Sequence, residues 1–110
     1  IVLFAATVGA GVDRLIAKYN RLSPARAAVL QAMGAAAVEQ WCDELNARIT
    51  EEYGPSRPRF SCGYGDLTLS LQRSIFPALN VTKNIGVTLT EGDLMMPSKS
   101  VTAIVGIKGE

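Results

Sequence analysis

The sequence predicts an α+β fold in which helices pack on a twisted, antiparallel β-sheet. Three observations carry this. Apolar, β-forming runs stand near both ends, over residues 1–7 and 101–107. Between them, from residue 25 to about residue 53, the apolar spacing and the residue choice are helical. Glycine- and proline-bearing stretches separate the two regimes, as expected where strands and helices segregate. With 110 residues the chain has room for one domain and one core, taken here as spanning 1–110.

Taken in order, residues 1–7 read as a buried strand that ends in a turn at Gly9 and Gly11. Val12, Leu15, Ile16 and Tyr19 recur at helical spacing and predict a short amphipathic helix over 12–19. Ser23-Pro24 is a helix start. The serine oxygen can accept from free backbone N–H groups, and proline suits the first helical position. The long helix that follows has an apolar stripe of Val38, Trp41, Cys42, Leu45 and Ile49. Gly34 marks either a kink in it or a close packing contact. Gly54-Pro55 ends it, and residues 55–65 are irregular or extended. A second short helix covers 69–76 and is broken by Pro77 and Asn80, after which Thr82 caps a single turn ending at Gly86. Residues 87–90 and 101–107 are strands, with a turn at Pro97-Ser98-Lys99-Ser100 between them. Lys99 is expected in solvent, and Met95 and Met96 are expected to fill core.

Composition excludes several classes of function. Apolar residues make up 48%, which places the chain among globular domains. A formal net charge of +1 supplies no field for nucleic acid or an anionic membrane. That sets aside a nucleic-acid reading of Arg57, Arg59, Phe60 and Tyr64. Histidine is absent, which removes the commonest general base and the commonest metal ligand. Cys42 and Cys62 make neither a zinc site nor a secreted disulfide framework; they read as two reduced thiols in a cytosolic protein. The opening apolar run is too short to span a bilayer and lacks the basic flank of a signal peptide. Because the chain opens at Ile1, inside a strand-like run, it reads as a piece of a longer protein.

Two places could carry chemistry. On the long helix Ala28, Ala32, Ala35 and Ala36 form a face of small side chains with Glu39 at its edge. Such a face admits a neighbouring backbone or a ligand; on its own, Glu39 reads as a solvated surface charge. The second place is Arg59-Phe60-Ser61-Cys62-Gly63-Tyr64-Gly65. Arginine offers a planar fork for a carboxylate or phosphate, tyrosine a ring face and a hydroxyl, and flanking glycines let the backbone approach a ligand. The combination suits a small zwitterion with a flat ring, and equally a Gly-rich turn beside an aromatic core residue. No nucleophile stands beside a base, and there is no phosphate loop or paired-acid arrangement.

Three segments in register resemble one family. Residues 59–65 resemble the R-x-x-x-G-Y-P motif of the activation domain of cobalamin-dependent methionine synthases. Leu89-Thr90-Glu91, with Met95, Pro97, Ser100 and Val101, resembles that family's L-T-E-x-x-x-M-x-P-x-x-S-V. The stretch with Glu39, Asp43, Leu45, Arg48 and Tyr53 resembles the helix that precedes the first motif. The chain departs from the pattern at Gly65, where the family has proline, in a Gly-Tyr-Gly-Asp form that resembles small stand-alone relatives. It is also shorter than the family's domain, without the upstream acidic contact or the tyrosine near the C-terminus.

The resemblance implies an activation-domain-like fold and a cytoplasmic module for methionine biosynthesis that binds S-adenosylmethionine in a shallow groove. It implies docking to the cobalamin-binding domain of methionine synthase, where oxidised cob(II)alamin is restored to methylcobalamin. The electron comes from flavodoxin or another reductase and the methyl group from S-adenosylmethionine. The cobalamin stays with the partner domain, and the cofactors carry the hard chemistry. Residue by residue, it puts Arg59 on the ligand's carboxylate, Tyr64 along the same pocket, Ser61 on the adenosyl portion through its backbone, and Glu39 beside the positive charge. A non-catalytic docking domain that keeps the fold without the ligand is the alternative. An exposed sheet edge or apolar face also makes a homodimer an expectation.

Overall fold

The computed structural model describes residues 1–63 and 68–108. Strand β1 (Val2–Thr7) pairs antiparallel with β4 (Ser100–Val105), with Leu3 opposite Ile104 and Ala5 opposite Thr102. Strand alternation then sorts the side chains onto two faces. Phe4 and Ala6 of β1 pack with Ala103, Val105 and Ile107 against Cys42 and Ile49 of the long helix α2 (Pro24–Tyr53). Ala5 turns the other way, onto a smaller cluster of Phe76, Val81 and Val87. The β1–β4 ladder therefore has α2 on one face and the pair α3 (Gln72–Leu79) and α4 (Val81–Ile85) on the other. This is the α+β class expected, with antiparallel pairing throughout; the strands divide into two small sheets, the second being the hairpin β2 (Thr88–Leu89) with β3 (Met95–Met96).

Helix α1 (Ala10–Leu22) is longer than its apolar spacing predicts. It begins beyond Gly9, whose φ of 86° suits glycine, and it takes in Gly11. Ser23 caps α2 as expected, its side chain accepting from the Arg26 N–H, with Pro24 in the first turn. Gly34 is a close packing contact: a Cβ there would lie 3.0 Å from both Val12 Cγ1 of α1 and Lys99 Cγ. Lys99 is thus not simply in solvent, since its stem lies over α2. Trp41 also departs from expectation. At 39% exposure it lies outside the core, with the Arg48 guanidinium 5.7 Å from its ring centroid. The methionines split: Met95 packs on the smaller cluster, and Met96 is exposed.

Further boundaries move: the helix expected over 69–76 opens with a tighter turn at Leu69–Leu71 and runs as α3 to Leu79, and the strand expected over 87–90 is reduced to Thr88–Leu89. Pro77 lies inside α3 instead of breaking it. In so short a helix its missing N–H removes one bond near the C-terminal end, and the stop falls at Asn80, in the left-handed region at φ 49°. Thr82 does not cap the start of α4, because Asn80 holds that place. Thr82 works at the far end, where its hydroxyl donates to the Val87 carbonyl at 2.6 Å and its carbonyl accepts from the Gly86 N–H. Strand β4 ends at Val105, and Ile107 forms a single bridge to Ser56.

That bridge belongs to an extended segment beyond Gly54 that lines the second edge of β4. Arg57 N–H donates to the Gly106 carbonyl at 2.8 Å, Phe60 N–H to the Ile104 carbonyl at 2.9 Å, and Ile104 N–H back to Phe60 at 2.7 Å. β4 is therefore central, with β1 on one side and residues 55–60 on the other. The downstream motif is built into the fold as a clamp. Thr90 N–H donates to the Leu94 carbonyl at 2.8 Å, the Leu94 N–H donates back to Thr90 Oγ1 at 3.2 Å, and Arg73 holds Asp93 at 2.7 Å. Ser100 Oγ donates to the Pro97 carbonyl at 2.7 Å and lies 2.8 Å from Thr7 Oγ1. Among the described residues no helix is long and apolar enough to cross a membrane.

Candidate functional site

The site begins with helical spacing. Glu39, Asp43 and Asn46 stand at i, i+4 and i+7 on α2, which puts their side chains one turn apart on one face. Arg59 reaches that face from the extended segment. Its neighbour Phe60 is pinned to β4 through both its N–H and its carbonyl, so the backbone beside Arg59 is held and the side chain is aimed at α2.

The three helix residues converge on the guanidinium. Arg59 Nη1 donates to Asp43 Oδ1 at 3.0 Å and to Asn46 Oδ1 at 2.8 Å. Nη2 donates to Glu39 Oε2 at 2.9 Å. The arginine side chain is 21% exposed, whereas Glu39 is 59% and Asp43 71% exposed. Burial works against the arginine's charge, but the hydrogen bonds from Asp43 and Glu39 outweigh it and hold the guanidinium above its ordinary value. Cys42 lies beneath this cluster, fully buried. Desolvation pushes its thiol up; the Arg59 charge pulls the other way, and Glu39 and Asp43 add to the rise.

An open groove of about 950 Å³ runs along this edge, lined by Glu39, Asn46, Arg57, Arg59, Phe60 and Ser61 among others. Its size falls within the roughly 300–1,000 Å³ usual for small-molecule sites. Of the four residues singled out from the sequence, Glu39, Arg59 and Ser61 come together here. Tyr64 lies outside the described residues. The small face of Ala28, Ala32, Ala35 and Ala36 is exposed on α2. Sequence reasoning missed Asp43 and Asn46 as site residues. The signal was their spacing from Glu39 on a long helix, next to an arginine that needs acceptors.

The donor set fits a zwitterionic ligand. Among the described residues the guanidinium keeps Nε–H and one Nη2–H beyond those engaged, and exposed carboxylates stand beside it to receive positive charge. No individual curated protein matches the chain. A family model does: the one described as "Vitamin B12 dependent methionine synthase, activation domain" matches residues 20–109, which takes in both motifs, α2 and every residue of the Arg59 cluster. By fold, by motif order and by that match, the chain belongs to the activation domain family of vitamin B12-dependent methionine synthase.

Proposed function

We propose that this chain binds S-adenosylmethionine in the groove beside Arg59 and serves as a reactivation module for a cobalamin-dependent methionine synthase. The supporting observation is the meeting of Glu39, Arg59 and Ser61 in one groove, from elements 20 residues apart in sequence at Glu39 and Arg59. The ligand's carboxylate lies against the N–H groups of Arg59 that remain available, and its ammonium and sulfonium face Glu39. Ser61 lies beside the adenosyl portion, and the family resemblance adds Tyr64 to the proposed ligand contacts. When bound, S-adenosylmethionine supplies a methyl group to the corrinoid of the partner domain, which flavodoxin or another reductase has supplied with one electron. This chain binds and orients, in the cytoplasm, and contributes no acid or base to the transfer.

The test is a calorimetric titration of S-adenosylmethionine into the chain and into Arg59→Ala. Saturable binding by the parent, weakened at least about tenfold in the variant, is the expected result. A parent that does not bind removes the ligand reading.

A docking role without ligand is the second reading. It is favoured by the uncharged run from Ala27 to Val38 on α2, where Val29 and Met33 stay 57% and 62% exposed. Exposed apolar area of that kind marks protein contact surfaces. The partner would be the cobalamin-binding domain or a second copy of this chain. Co-sedimentation with the cobalamin domain in the absence of S-adenosylmethionine separates this reading from the first.

A further inference from the structure

The Arg59 cluster contains more than a ligand site needs for binding alone. Two acceptors, Asp43 Oδ1 at 3.0 Å and Asn46 Oδ1 at 2.8 Å, converge on the single nitrogen Nη1, which has two hydrogens to give. Glu39 takes one hydrogen of Nη2. Among the described residues, Nε–H and the second Nη2–H have no side-chain acceptor. Folding stability does not account for this arrangement, because Glu39 and Asp43 are mostly in solvent and exposed ion pairs contribute little. What the arrangement does is immobilise a long side chain that would otherwise sample many rotamers, and so lower the ordering cost of binding.

We propose that Asp43 and Asn46 are positioning residues. They hold Nη1 so that the guanidinium presents its remaining N–H groups, on Nε and Nη2, to the carboxylate of the ligand, while Glu39 remains beside the ligand's positive charge. The proposal rests on the S-adenosylmethionine reading above. It adds two residues that touch no ligand atom and act through Arg59. Asn46 is the more telling of the two. Being neutral, it contributes an acceptor at 2.8 Å without attracting a cationic ligand by charge.

The experiment compares two ligands across four proteins. S-adenosylmethionine and its decarboxylated form, which lacks only the carboxylate, are titrated into the parent, Asn46→Ala, Asn46→Asp and Asp43→Ala. Asn46→Ala is expected to weaken S-adenosylmethionine about tenfold, as for loss of a hydrogen bond to a charged group, and to leave the decarboxylated ligand unchanged. Asn46→Asp restores an acceptor oxygen and recovers the affinity. Thermal melts of each variant show that the fold is intact, and Asp43→Ala, which removes the other acceptor at an exposed position, provides the same test should Asn46→Ala fail to fold. Equal weakening of both ligands, or unchanged S-adenosylmethionine binding in Asn46→Ala and Asp43→Ala, overturns the positioning role while the parent's binding stands. A parent that binds neither ligand overturns the S-adenosylmethionine reading and this inference with it.

Discussion

Gly34 of α2 and Lys99 of the turn before β4 meet so closely that a Cβ on the glycine would stand 3.0 Å from the lysine Cγ and 3.4 Å from its Cε. Val12 Cγ1 closes the same space from α1 at 3.0 Å. Gly34→Ala therefore sets two effects against each other. Alanine in a helix interior gains about 1 kcal/mol over glycine, and overpacking costs about 1–3 kcal/mol. The lysine stem can shift, but Val12 sits in a packed helix pair, so a net loss of about 1 kcal/mol is expected. Gly34→Leu is expected to cost about 3 kcal/mol, at the upper end of overpacking. Urea denaturation of both variants checks this. Equal stability of Gly34→Leu and the parent would mean that α1 and Lys99 do not hold this contact.

Thr102 and Gln72 form a buried polar pair, each 1% exposed, with the threonine hydroxyl donating to Gln72 Oε1 at 2.7 Å. Among the described residues no buried side-chain polar atom lacks a partner. Thr102→Val keeps the shape and removes that donor, which is expected to cost about 1–3 kcal/mol. Gln72→Leu added to Thr102→Val removes the stranded acceptor and is expected to recover much of the loss. Additive losses in the double-mutant cycle would count against the pair.

Both thiols are free, and burial pushes both up; at Cys62 a hydrogen bond with Thr102 partly opposes the rise. Folded protein is expected to resist alkylation at pH 8 and to react at both cysteines once denatured. For stability the direction follows from the raised folded values. The contribution of a neutral buried thiol is complete below the free-thiol pKa of about 8.5, and it is lost as pH rises through the higher folded pKa. Melting temperature should therefore fall on the alkaline side. The Cys42→Ala, Cys62→Ala double variant should show a shallower alkaline fall, and a fall as steep as the parent's would assign it to other groups.

Much of the helical framework was legible because its signals are local. Ser23-Pro24, Gly54 and the stripe of Val38, Cys42 and Ile49 each state a boundary or a face within a few residues. Pro77 and Thr82 misled because their effect depends on what surrounds them: proline near the end of a short helix removes one bond, and a threonine hydroxyl can serve a C-terminus as well as an N-terminus. Trp41 follows the stripe's period but stays exposed beside Arg48, and no sequence period reports how far the covering sheet extends along the helix. The candidate groove was legible only in part. Glu39, Arg59 and Ser61 come from resemblance and do meet in one groove. That Asp43 and Asn46 would also hold Arg59 depends on the extended segment lying beside β4, a non-local pairing that no motif contains.

The extended segment also governs what this edge of the protein can attract. Arg57 and Phe60 commit their amides inward to β4, so the outer row falls to Ser56, Pro58 and Arg59. Pro58 has no amide hydrogen, and a row interrupted in that way is a poor template for a strand from another molecule. Pro58 also lines the groove, so the rim beside Arg59 offers an approaching strand no continuous row of donors.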